Sequence, residues 1–195
     1  AKRLGLLGEE RTLKESIQGI YPIKLEETLI IDNETVIVRP AKPVDERRIQ
    51  EHFYNLDKKD IASRFFHEKT RFVQDEMEGV SQIDYIKDLT VIALVGEFGF
   101  GKVVAVGEYL IDPSRNMAEV AFSVIKEYQG KRLGKILLKK LSEAARENGI
   151  MGLFAYTSPG NQGMIKLFQT LPYKVRTTFE DDMIMLSCRF DEPKE

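Results

Sequence analysis

Three segments in the second half of the chain most constrain the fold. Met117 to Ile125 alternates large apolar with small or polar residues, and Leu133, Leu137, Leu141 and Ala144 recur at helical spacing in 131–148. Leu153 to Thr157 is again strand-like. Two strands joined by a helix are expected to lie parallel in one sheet, with the helix crossing over a face. The first half reads differently. Glu27–Ile31 and Thr35–Arg39 flank Asp32-Asn33-Glu34, turn residues that tolerate left-handed backbone, and Leu89–Phe98 leads into Lys102–Asp112 as a second hairpin. Hairpins first and a strand–helix–strand unit late predict an α/β (α+β) fold, a mixed, mostly antiparallel sheet with helices on both faces.

The remaining elements fit around that sheet. Pro43 to Leu56 reads as a helix with Asp45 in its first turn and Ile49, Phe53 and Leu56 on one face. Residues 57–88 read as short helices carrying Ser63-Arg-Phe-Phe66 and Asp84-Tyr85, Asn161–Thr170 as a helix, and 173–179 and 183–190 as closing strands. Residues 1–22 form a short polar helical stretch broken by Tyr21-Pro22 and are expected to be a linker or the tail of a preceding domain, ahead of one domain over 23–192. The chain opens at Ala1, which fits either a trimmed methionine or a piece of a longer protein.

Composition narrows the function classes. A formal net charge of −2 gives no general pull towards nucleic acid or an anionic membrane. No apolar run approaches the ~20 residues of a membrane span, and no signal peptide opens the chain. The single cysteine, Cys188, rules out an internal disulfide framework and suits a reducing compartment, so the cytoplasm is expected. No His/Cys cluster has metal-ligand spacing, so no metal is expected.

The junction between strand 117–125 and its helix carries the chemistry. A strand, a glycine-bearing turn and a helix N-terminus near Lys131 can hold an anion, because the first helical N–H groups lack partners inside the helix and the dipole favours negative charge there. Lys131, Arg132 and Lys135 cluster at that end, where cations gain nothing from the dipole. One reading is a solvated charged helix face. The other is a polyanion held by backbone amides and flanked by cations.

At Gln129-Gly130-Lys131-Arg132-Leu133-Gly134 the chain resembles the GNAT acyltransferases, whose acyl-CoA motif is Gln/Arg-x-x-Gly-x-Gly/Ala. Gln129 and Gly134 match, Arg132 replaces the inner glycine, and Gly130 can supply part of the lost backbone freedom. The resemblance covers roughly residues 23–190. It implies a GNAT fold in which strands 117–125 and 153–157 splay apart and acetyl-CoA, as cosubstrate, enters the gap. It places CoA at 129–135, including Leu133 and Lys135, and at the strand edge Phe122, Ser123 and Val124, with Asn161 orienting the pantetheine arm. Further pieces are similar to bacterial protein lysine acetyltransferases and to acyltransferase domains fused after an acetyl-CoA hydrolase/transferase: Val38-Arg-Pro40, Arg64-Phe-Phe66, Ile83-Asp-Tyr85, Asp112-Pro113, Ala118-Glu-Val-Ala121 and Asn161-Gln-Gly-Met164. Residues 1–22 look like the junction in such fused proteins. Phe168 stands where many GNATs carry a tyrosine general acid, and Leu171-Pro172-Tyr173 replaces the common Leu-Gly-Phe.

Acyl transfer to an amine needs a held carbonyl, a neutral amine and a route for its proton. Strand parity puts Val120, Phe122 and Val124 on one face, and Glu119, Ala121 and Ser123 on the other. The bland alternative is a Glu reaching water at a frayed strand end. If Asp112–Met117 is a four-residue hairpin loop, 110 faces 119 and 108 faces 121, which makes Glu108 and Glu119 diagonal neighbours on one face. The lysine acetyltransferase resemblance likewise implies Glu119 as general base, and Glu108, on the same face, is the second candidate. Two function classes follow. One is a CoA-dependent N-acetyltransferase acting on an amine such as a protein lysine. The other is a non-catalytic acyl-CoA sensor regulating a fused or partner enzyme.

Other features are set aside. Gly96–Val103 matches the G-x-x-x-x-G-K pattern of nucleotide-binding loops, but Val103 replaces the Mg²⁺-binding hydroxyl and a strand, not a helix, is expected to follow. His52 and His67 have no Ser or Cys partner nearby in sequence and read as structural, as does Cys188 among Met183, Met185 and Leu186.

Overall fold

The computed structural model describes residues 21–56, 88–96 and 101–195. Its eight strands are β1 (Glu27–Ile31), β2 (Glu34–Pro40), β3 (Asp88–Val95), β4 (Lys102–Asp112), β5 (Met117–Val124), β6 (Gly152–Thr157), β7 (Tyr173–Glu180) and β8 (Met183–Pro193). Among the described residues three α-helices join them, α1 (Glu46–Tyr54), α2 (Leu133–Glu147) and α3 (Gln162–Gln169). The strands form one sheet in the order β1-β2-β3-β4-β5-β6-β8-β7. Every neighbouring pair is antiparallel except β5–β6, which is parallel as the crossover helix requires.

Parity decides what each face holds. Val36, Val38, Leu89, Val91, Ala105, Tyr109, Val120, Leu153 and Ala155 form the larger core, against which Leu133, Leu137, Leu138, Leu141 and Ala145 of α2 are buried. A smaller cluster of Ala41, Ile92, Leu94, Val103 and Val106 receives Ile49 and Phe53 of α1. Helices therefore cover both faces, with Phe168 of α3 buried in the larger core. The β1–β2 turn is built on left-handed Asp32 (φ 50°) and Asn33 (φ 64°).

The approach to α1 is tied down by charge. Arg39 reaches both oxygens of the fully buried Asp45 at 2.6 and 2.7 Å, the Lys42 N–H donates to Asp45 at 2.7 Å, and Arg48 lies 3.6 Å away. Burial alone would raise the Asp45 carboxyl, but Arg39, the Lys42 amide and Arg48 outweigh it and hold its pKa below the usual range. Pro43–Asp45 is a 3₁₀ turn and the α-helix starts at Glu46, so the expected 43–56 helix is shorter and its first turn tighter. Cys188 is buried in β8 and burial pushes its thiol up to about 11, which suits a core residue rather than a nucleophile. Strand β4 begins at Lys102, so no helix follows the Gly101-Lys102 pair and a phosphate-binding loop has no anchor there. The expected short helices of 57–87, with Arg64-Phe-Phe66, His67 and Ile83-Asp-Tyr85, and the reading of 1–20 lie outside the described residues.

Candidate functional site

Parallel pairing between β5 and β6 lasts for three rows only, Met117↔Gly152, Ala118↔Leu153 and Glu119↔Phe154. Beyond them each strand follows its other neighbour, β5 keeping register with β4 up to Val124↔Ala105 and β6 with β8 up to Thr157↔Ile184. Strand twist then separates them, and a fork opens between residues 120–124 and 155–157. Both edges of the fork carry backbone groups that the partner strand does not pair. An extended, amide-rich molecule fits such an edge as an added strand.

The glutamates sit where the hairpin register puts them. Leu110 faces Glu119 and Glu108 faces Ala121, so both carboxylates project from the α1 face. Glu119 occupies the last paired row at the apex of the fork and is only 6 % exposed, which excludes a frayed strand end. Glu108 is half-buried. Phe122 and Val124 project from the opposite face and pack against the larger core.

The turn after β5 differs from expectation in one way that explains it. Lys126–Tyr128 is a 3₁₀ turn, Gln129 is extended, Gly130 has φ 75°, and Arg132 has φ 66° and ψ 12° as the N-cap of α2. The helix begins at Leu133 rather than near Lys131, because Lys131 and Arg132 are spent in reversing the chain. Arg132 thus stands in a left-handed conformation that glycine adopts freely and other L-residues at a cost of about 1 kcal/mol. The backbone that the motif's inner glycine would provide is present, with an exposed guanidinium added.

The first helical bond in α2 is from the Ile136 N–H to the Arg132 carbonyl, at 3.1 Å. No side chain caps the helix, so the N–H groups of Leu133, Gly134 and Lys135 lack an intrahelical acceptor. Nothing lies within 4 Å of where a Gly130 Cβ would be, so the mouth of the turn is open. Gly134 faces α3, where an added Cβ would stand 3.4 Å from Leu167. Arg132 and Lys135 form no ion pair among the described residues, whereas Lys131 contacts Asp32 at 2.5 Å. Gln129 Nε2 donates to the Val124 carbonyl at 2.9 Å and ties the turn to the strand edge. Asn161 is the N-cap of α3, its Oδ1 accepting the Met164 N–H at 3.1 Å, at the far side of the fork beyond β6.

One arrangement was not legible in the sequence. His52 of α1 is buried, its Nδ1 donating to the Val103 carbonyl at 3.0 Å and its Nε2 hydrogen-bonded to the Ser123 hydroxyl at 2.8 Å. Seventy-one residues separate the pair. The contact holds α1 to the strand edge at Ser123. Phe168 is fully buried and has no access to the fork. Among the described residues no group of three or more His, Cys, Asp or Glu could hold a metal ion, and no helix is long and apolar enough to cross a membrane.

This geometry has counterparts among known proteins. The sequence model of the acetyltransferase (GNAT) family matches residues 55–171. The acetyltransferase PA5475 of Pseudomonas aeruginosa is 26% identical over 133 residues, which are 68% of this chain and 72% of that protein. Among solved structures, the GNAT domain of S. lividans PAT superposes with a TM-score of 0.72 at 27% identity, covering 87% of this chain and 99% of that one. The PaiA N-acetyltransferase of Thermoplasma acidophilum, solved in complex with coenzyme A, shares the fold at a TM-score of 0.58 and 17% identity, covering 80% of this chain and 99% of that one. The eight-stranded sheet, its short parallel pair and the family match over more than half its length together establish that this chain belongs to the GNAT acetyltransferase family.

Proposed function

We propose that the chain transfers an acetyl or other short acyl group from CoA to the amine of a protein lysine, with Glu119 as general base. The observation that carries this reading is the position of Glu119, a buried carboxylate in the last paired row of the β5–β6 fork, on the strand that leads into the open turn at 129–135.

The chain's own residues have separable tasks. The N–H groups of Leu133, Gly134 and Lys135, with Arg132 and Lys135, suit the CoA phosphates. The edge of β5 at 122–124 suits the pantetheine amides, and Asn161 lies across the fork from it. These contacts would bring the thioester towards the apex. There the amine nitrogen attacks the thioester carbonyl carbon, the C–N bond forms and the C–S bond breaks. Glu119 takes the ammonium proton, directly or through one water, since alkylammonium has an ordinary pKa of ~10.4. The second proton lost from the nitrogen as the amide forms passes to the leaving thiolate or to water, so a thiol with a pKa of ~8.5 needs no side-chain donor. The buried Phe168 therefore costs the mechanism little.

The lysine acceptor rests on the resemblance of Ala118-Glu-Val-Ala121 and Asn161-Gln-Gly-Met164 to lysine acetyltransferases. A turnover assay with acetyl-CoA and lysine-bearing proteins, run beside calorimetric titration with CoA, tests the whole. Binding with turnover is expected. Binding without turnover would favour an acyl-CoA sensor that regulates a fused or partner enzyme, and absence of both would sink the reading.

A further inference from the structure

The β1–β2 turn reaches across to the turn that follows β5. Asp32 Oδ2 lies 2.5 Å from Lys131 Nζ, and the same ammonium stands 5.2 Å from the centroid of the Tyr128 ring. One residue beyond the β1–β2 turn, Glu34 accepts a hydrogen bond from the Tyr128 hydroxyl. Tyr128 is correspondingly held protonated, the Glu34 contact first and burial second pushing its pKa up to about 12. A hairpin that precedes this turn by almost a hundred residues thus places one carboxylate on its lysine and a second on its tyrosine.

Of the three cations at the turn, Lys131 alone is matched by a carboxylate among the described residues, while Arg132 and Lys135 are not. Under the CoA reading proposed above, on which this inference rests, the phosphates must approach that matched lysine. We propose that Asp32 is an internal competitor for the CoA phosphates. It holds Lys131 in the ligand-free protein and exchanges it for phosphate when CoA binds, so that Asp32 sets how much of the affinity comes from the phosphates. The pair suits an exchange. Asp32 is 70 % exposed and Lys131 31 % exposed at the side chain, so neither partner is locked in place, and an exposed ion pair is weak enough for a polyphosphate to displace. The Tyr128–Glu34 contact keeps the hairpin beside the turn while Lys131 changes partner. No covalent step is involved.

Local backbone gives a clean perturbation. Asp32 has φ 50°, and asparagine adopts that left-handed conformation as readily as aspartate, so Asp32→Asn removes the charge without disturbing the turn. The test is calorimetric titration of CoA into the full chain and into Asp32→Asn, Lys131→Met and the double variant. Asp32→Asn is expected to bind CoA about three- to tenfold more tightly in the Lys131 background, and to change affinity by less than about twofold in the Lys131→Met background. CoA binding that is unchanged or weaker in Asp32→Asn would overturn the inference and leave the CoA site standing. An equal gain in both backgrounds would also overturn it, by reducing Asp32 to a general surface charge. If the parent protein does not bind CoA, the functional reading falls first and this inference with it.

Discussion

Glu119→Gln separates the proton-transfer role of the apex carboxylate from every other role it could have. Glutamine has the same shape, and the phosphate-binding residues proposed here lie in the turn at 129–135 beyond the strand end. CoA affinity should therefore hold within about twofold. The size of the catalytic loss follows from the acceptor. With a pKa of ~10.4, only about one lysine amine in 2,500 is neutral at pH 7, so an enzyme without a base loses up to roughly 10³ in kcat. The neutral fraction grows tenfold per pH unit. At pH 9 it is about 4 %, and the deficit should shrink to at most roughly 25-fold. The assay is the initial rate of peptide-lysine acetylation at saturating acetyl-CoA, from pH 7 to 9.5, for parent and variant. A kcat within about threefold of the parent at pH 7 would move the role to Glu108 or a water chain. A large deficit that did not shrink with pH would refute the proton-transfer argument and point to a lost hydrogen bond or distorted apex instead.

Three further outcomes follow from the same geometry. Arg132→Ala should weaken CoA binding by about three- to tenfold and flatten its salt dependence, since alanine meets the same left-handed strain at φ 66° and only the charge is removed; unchanged affinity would take the guanidinium out of the site. Gly134→Leu should abolish CoA binding and lower stability by about 1–3 kcal/mol in denaturant unfolding, because its side chain must push Leu167, already 3.4 Å from the first added carbon. Asp45→Asn should cost about 2–4 kcal/mol at pH 7, because it leaves Arg39 half-satisfied beside a fully buried site. The Asp45 pKa is lowered in the folded state, so its contribution is complete above the unfolded value of ~3.9 and lost as pH falls through the folded value. The urea-midpoint gap between parent and variant should then narrow below about pH 4.

What could be read in the sequence was whatever depends on period and local turn chemistry. Alternation in 117–125, helical spacing in 133–144 and Asp-Asn at the first turn predicted strand faces, a buried helix stripe and a hairpin, all present. The pairing of Leu110 with Glu119 followed only on the condition of a four-residue loop between Asp112 and Met117, the register the hairpin adopts. Contacts between remote segments stayed hidden. Nothing in the sequence near His52 points to Ser123, and nothing near Asp32 points to Lys131, since each contact exists only because the sheet brings distant hairpins and helices together. The glycine-to-arginine departure at position 132 was visible as a mismatch, but the left-handed backbone that Arg132 keeps there was not, because a left-handed φ leaves no trace in residue identity when the residue is arginine.

The same alternation explains how one short strand can serve binding and chemistry at once. Along β5, Val120, Phe122 and Val124 turn towards the core beneath α2, while Glu119, Ala121 and Ser123 turn towards α1. Between the faces runs the backbone edge that β6 relinquishes after Glu119. Apolar contacts with one helix fix the strand's height, and the Ser123–His52 bond fixes it to the other. The edge itself is left for a ligand. Small Ala121 separates the polar anchor at Ser123 from the carboxylate at Glu119 on the α1 face. Glu119 thus lies at the apex of the fork, whereas the proposed phosphate site lies past the strand's far end. Because Glu119 lies within β5 and residues 129–135 in the turn beyond its end, substitutions that alter turnover through Glu119 should leave CoA affinity intact, and those that alter CoA affinity through 129–135 should leave the pH dependence of turnover intact.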